Sequence, residues 1–124
     1  MRTQRKNWIA IFPNGREVLN LHSPRGLAEY LRRIEEMLER QGGICCLSRF
    51  CPLCPGKLLL REACFEHEEG RGASGGHRDD RIWVEGRAQN GAAHYWCNSW
   101  KGSKRLSRFP SVMRESSEAS SKDV

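Results

Sequence analysis

The sequence predicts a small single domain of the α+β class, and three observations carry that prediction. Alternating apolar and polar residues flank Pro13-Asn14-Gly15, a helical repeat of apolar residues follows, and cysteines are confined to the chain beyond Ile44. A chain of 124 residues is long enough for one modest core and too short for two.

The first element is residues 6–22, "KNWIAIFPNGREVLNLH". Its alternation breaks at a turn where Pro presets one backbone angle and Gly tolerates positive φ, which reads as a β-hairpin. Ser23 and Pro24 then suit an N-cap and a first helical residue, and Leu27, Leu31, Ile34 and Leu38 recur at helical spacing until Gly42-Gly43. The apolar stripe of Leu27, Tyr30, Leu31, Ile34, Met37 and Leu38 is expected to face the core. The opposite face, Arg32, Arg33, Glu35, Glu36, Glu39 and Arg40, reads as solvated surface. Residues 1–43 thus form a supporting hairpin and helix.

A change of character at Ile44 begins a second region, 44–110. "GRGASGGHRDD" suits neither a helix nor a central strand and reads as an ordered loop. "RIWVEG" predicts a short strand, and "NSWKGSKRL" after Cys97 the start of a helix. Residues 111–124 are rich in Ser and charge with little apolar surface to bury, which predicts a disordered tail.

Lys plus Arg number 21 against 15 Asp plus Glu, a formal charge of +6 and a pI near 9.3, which draws the chain toward phosphate-rich partners. No apolar run reaches the roughly 18 to 20 residues a bilayer-spanning helix needs, and no secretory signal is visible, so a cytoplasmic protein without membrane attachment is expected. In that compartment six cysteines point to metal rather than disulfides. Cys51-Pro-Leu-Cys54 is one ligand knuckle, and His94-Tyr-Trp-Cys97 supplies a second with histidine in place of one thiolate. Together they make a tetrahedral Cys3His set suited to structural Zn²⁺. Cys45 and Cys46 leave the register open, and Cys64 is expected only to pack.

Between the knuckles lie the groups that phosphodiester hydrolysis requires: a base for water, a hard ligand for a divalent metal, and cations to hold the backbone. His67 offers an imidazole, Glu66 and Asn98 offer oxygen ligands for Mg²⁺ or Mn²⁺, and Lys101, Lys104, Arg105 and Arg108 follow with no acid between Cys97 and Pro110. Adjacent residues of a strand point to opposite sides, so Glu66 and His67 can share a site only where the strand ends or twists. In the loop, Arg71 and Arg78 are candidate phosphate contacts, His77 a possible further metal ligand, and Asp79 and Asp80 turn caps or partners for those arginines.

"CPLC", then "FEH", then "NGAAHYWCNSWKGSKR" together resemble the HNH endonuclease family with its ββα-metal motif, over roughly Ile44 to Arg108. The resemblance implies a zinc-braced nuclease motif cutting DNA. In it His67 is the general base, Glu66 and Asn98 hold the catalytic metal, the knuckles hold zinc, and Asn90 braces the loop or orients His67. The chain departs from the commonest family pattern in having Glu66 rather than Asp or His, His94 opening the second knuckle, and an enlarged loop containing "HRDDRIWVEGR". Two rivals share these features: a zinc-stabilised nucleic-acid-binding module without cleavage, and a zinc-clipped protein-interaction domain. A monomer and a dimer are equally compatible with them.

Overall fold

At the expected turn, the Asn14 side chain accepts from the Arg16 amide at 3.1 Å and Gly15 takes a φ of 92°. This closes a hairpin of β2 (Ile9–Ile11) and β3 (Glu17–Leu19), with Ile9 opposite Leu19. A further strand that the alternation does not mark, β1 (Gln4–Arg5), pairs with the outer edge of β2. The computed structural model in which these elements are seen describes residues 2–68 and 78–102. The tail expected over 111–124 and most of the Gly-rich loop lie outside the described residues.

Helix α1 (Pro24–Arg40) begins as the sequence predicts: Ser23 accepts from the Gly26 amide and Pro24 occupies the first turn. Its phase differs from the expected stripe. Ile34 and Met37 are buried, whereas Leu27 and Leu31 are each 43% exposed. The reason lies at Gly26, where a Cβ would stand 2.0 Å from the Asn20 carbonyl oxygen and 2.9 Å from that of Trp8. Absence of a side chain lets the helix press against the hairpin at this point, which turns Leu27 outward. The same phase corrects the reading of Arg33 and Arg40 as solvated: Arg33 donates to Glu17 and to the Asp80 carbonyl, and Arg40 to the carbonyls of Ile82 and Asn90.

The second region opens with a loop whose base is zipped shut, since Leu58 donates to the Gly43 carbonyl and Cys45 to that of Gly56, both at 2.8 Å. A short 3-10 turn, Leu60–Glu62, leads into β4 (Ala63–Glu66). The "RIWVEG" segment forms a two-stranded ribbon, β5 (Trp83–Val84) with β6 (Arg87–Ala88). Strand β7 (Gly91–His94) pairs antiparallel with β4, and α2 (Tyr95–Lys101) follows directly, starting two residues ahead of Cys97. The order β4, β7, α2 is a ββα unit, and Met37, Leu47, Leu58, Phe65 and Ala92 form the core between it and α1. Among the described residues no helix is long and apolar enough to cross a membrane.

Two further side chains hold this arrangement. Gln41, wholly buried at the end of α1, exchanges hydrogen bonds with both the amide and the carbonyl of Ala92 at 2.8 and 2.9 Å. Asn90, at φ 66°, receives the Glu68 amide and donates to the carbonyls of Asp79 and Arg81. That is the bracing role expected of it.

Gly26→Ala is expected to lower stability by about 3 kcal/mol, the upper end of overpacking costs, because the atoms met are backbone and cannot rotate away. Urea unfolding of the two chains measures it; a loss under about 0.5 kcal/mol, the usual range of surface substitutions, would contradict the close approach.

Candidate metal centre and cleft

Four side chains, Cys45, Cys54, His94 and Cys97, bring their ligand atoms within 4.8 Å of one another and can hold a metal ion such as zinc. His94 Nε2 donates to the Lys57 carbonyl at 2.8 Å, which leaves Nδ1 facing the thiols, 3.6 Å from Cys54 and 3.7 Å from Cys97. Tetrahedral zinc with bonds of about 2.3 Å to sulfur and 2.0 Å to nitrogen gives ligand edges of about 3.5 to 3.8 Å, so the spacing suits it. The outer contacts suit it as well. The amides of Leu47 and His94 point at Cys45 Sγ and that of Gly56 at Cys54 Sγ, each at 3.4 Å, where they would stabilise thiolates. Burial raises the Cys45 thiol to about 12 and pushes Cys97 up as well, so binding a cation must displace protons from the cluster.

The set differs at one position from the sequence reading, which placed Cys51 where the cluster has Cys45. Cys51 is buried beside Cys97, outside the group of mutually close ligand atoms. Knuckle spacing cannot identify Cys45, which reaches the cluster through the zipped base of the loop. The available signal is the pair of glycines, Gly43 and Gly56, that flank that base. Cys46 is buried in the core.

Glu66 and His67 stand where β4 ends, which resolves the problem of side chains pointing apart: Glu66 is the last strand residue and His67 lies beyond it. Both line one cleft of about 290 Å³, together with Tyr30, Cys64, Arg78 and Asn98. His67 stacks on Phe65 with ring centroids 5.3 Å apart, and its Nε2 contacts Asp80 Oδ1 at 2.7 Å. Asp80 is 1% exposed; its other oxygen accepts from the Leu19 amide at 2.8 Å, and Arg78 Nε spans both. Burial opposes the charge on Asp80, but hydrogen bonds from His67 and Leu19 and the charge of Arg78 outweigh it and lower its pKa. The sequence reading had Asp80 as a turn cap or arginine partner; it partners Arg78 and also holds the histidine.

Glu66 is buried and ion-paired with Lys101, whose ammonium also donates to the His67 carbonyl at 3.3 Å. Burial raises the Glu66 carboxyl above its ordinary value, partly offset by Lys101. The other oxygen, Oε2, is buried without a hydrogen-bond partner among the described residues. Lys101, expected among the phosphate contacts, is therefore corrected to an interior partner of Glu66, only 1% exposed. It is the last residue of α2, which packs against β4, and its ammonium reaches Glu66 at the end of that strand. Asn98 donates through its amide nitrogen to the Phe65 carbonyl and Cys64 sulfur, both at 3.4 Å. Arg78 lines the cleft but spends its guanidinium on Asp80 and the Leu19 carbonyl. Arg71, His77, Lys104, Arg105 and Arg108 lie outside the described residues.

Compared with family models, curated proteins and solved structures, the chain matches none.

Two outcomes are expected. Cys45→Ser should surrender bound zinc to a chromogenic chelator at concentrations that Cys51→Ser withstands; the reverse order would return the fourth position to Cys51. Acid should also loosen the fold. Hydrogen bonds from Arg32, and from Arg33 against an opposing cost of burial, hold Glu29 at about 2 rather than 4.5, and Asp80 is likewise depressed below 3.8. Both contribute stability above those ordinary values, lost as pH falls through them toward 2. Tm should be flat down to about pH 5 and drop below it, and Asp80→Asn should blunt the drop.

Proposed function

We propose that the chain is a metal-dependent endonuclease that hydrolyses DNA phosphodiester bonds, with His67 as general base. The observation that carries this reading is the contact of His67 Nε2 with buried, charged Asp80. With Nε2 donating to that carboxylate, Nδ1 bears the lone pair and is the atom available to take a proton from water. Asp80 then stabilises the imidazolium that results, and Phe65 stacking restricts the ring's rotation.

A divalent cation such as Mg²⁺ or Mn²⁺, when bound, would supply charge stabilisation at the scissile phosphate and leaving oxygen. The residues fit such an ion: Glu66 presents the unpartnered Oε2, and the Asn98 amide donates through nitrogen and so keeps its oxygen for a cation. Lys101 neutralises the Glu66 carboxylate from the interior, which limits the ion's hold to the remaining oxygen. Zinc at the Cys3His cluster serves structure, because four protein ligands leave no open position. The ββα order of β4, β7 and α2 and the resemblance to HNH endonucleases support the same assignment. Among the described residues no element is suited to reading base edges, which supports cleavage of low or structure-based sequence selectivity.

Supercoiled plasmid incubated with the zinc-loaded chain and Mg²⁺ or Mn²⁺ tests the reading. Nicking or linearisation is expected. His67→Ala should reduce it by about 10² to 10⁴, the usual worth of a general base. Asp80→Asn, which removes the charge and keeps the shape, should cost on the order of a hundredfold in kcat with little change in KM. Cleavage that survives His67→Ala unchanged would sink the assigned base. DNA binding without cleavage would favour the non-catalytic module instead.

A further inference from the structure

The N-terminal sheet carries a further groove, about 540 Å³ in volume, beside the cleft. Antiparallel register places Arg5 opposite Ala10 and Ala10 opposite Val18, so these three share a row across the sheet on one face. Lys6 and His22 border the same groove, and none of its lining residues is Asp or Glu. Arg5 and Lys6 are exposed. Arg5 lies over the Phe12 ring at 5.8 Å, a contact that orients the guanidinium without neutralising it. Leu21 and Arg78 line both this groove and the cleft that holds Glu66, His67 and Asn98, so the two are continuous.

We propose that this groove is a track for the sugar-phosphate backbone of duplex DNA, extending the strand engaged at the cleft across the N-terminal sheet. The inference rests on the endonuclease reading for its partner. Cations at the groove's edge meet phosphates, and the aliphatic floor of Ala10, Val18 and Leu21 gives the sugars an apolar surface. Because Arg78 is committed to Asp80, Arg5 and Lys6 carry the free charge. The hairpin thus does more than support the second region: it supplies backbone grip that the inward-turned Lys101 does not.

The test is fluorescence anisotropy of a labelled duplex across a salt series, with the zinc-loaded full chain and magnesium omitted. Arg5→Gln/Lys6→Gln is compared with Arg87→Gln, an exposed cation of β6 that lines neither groove. The double variant should bind on the order of tenfold or more weakly near 0.1 M salt, uniformly across sequences, with a log–log salt slope smaller by about 2. The control should keep both within error. All three chains should keep the same Tm, because the substituted side chains are exposed. Equal affinity and slope for wild type and double variant would overturn the track and leave the cleft's assignment intact. A double variant that loses affinity for polyglutamate but not for DNA would overturn it in favour of an acidic-peptide surface. Wild type that binds no duplex even at low salt would overturn the endonuclease reading and the track together. Binding with the expected slope but no cleavage on adding magnesium would support the track and overturn only the hydrolytic role.

Discussion

The carboxylate of Asp80 leaves water on folding, and the molecule must supply everything water gave it. It does so from three directions: the Leu19 amide of β3, the Arg78 guanidinium, and His67 at the end of β4. The backbone around it is held as firmly, since the Asp80 amide donates to the Glu17 carbonyl at 2.7 Å and its carbonyl accepts from Arg33 of α1. Losing any one partner leaves buried charge imperfectly solvated, a cost of several kcal/mol in proteins generally. The segment from Arg78 to Asp80 is therefore tied to β3 by one backbone hydrogen bond and by the side chains of Arg78, Asp79 and Asp80, and the position of the histidine depends on the N-terminal sheet being in place.

The β4–β7 ladder joins this network to the metal centre. Its register sets Ala63 opposite His94 at one end and Glu66 opposite Gly91 at the other. The Cys3His cluster sits at the first end and the cleft at the second, about 10 Å apart along a strand of this length. Helix α2 returns across the same ladder, so that Cys97 reaches the cluster while Lys101, one turn on, reaches Glu66. A shift of one residue in that pairing would disrupt both ends at once, so the geometry of the Cys3His cluster and that of the cleft form in one folding event.

How much of this was legible follows from the range of each interaction. The hairpin turn, the Ser23 cap and the second knuckle are local patterns, and the residues that announce them also make them. The place of Glu66 and His67 at the strand's end was legible because that end follows from the Gly-rich run beyond. The helix phase was not, since it depends on Gly26 meeting the backbone of another element, a contact invisible to periodicity. Cys45 joins the cluster through a loop closure that spacing does not encode. Lys101 looked like one of a run of surface cations, and only the return of α2 over β4 turns it inward. Asp80 was seen as an arginine partner from its neighbours in sequence, while its histidine stands thirteen residues upstream.

The side chain of Gln41 has a consequence beyond anchoring α1. In the β4–β7 ribbon, Phe65 and Ala92 face each other as a pair whose own amides and carbonyls point outward, the arrangement that leaves an edge open to another strand. Gln41 fills that vacancy on β7, and on β4 the Tyr30 hydroxyl receives the Phe65 amide while Asn98 donates to its carbonyl. A two-stranded ribbon with bare edges invites recruitment of neighbouring chains into a growing sheet. Here the side chains of Tyr30, Gln41 and Asn98, with the Cys46 amide on the Ala92 carbonyl, stand in for the missing strands, so the ribbon ends where it is and its edges are closed to templated pairing.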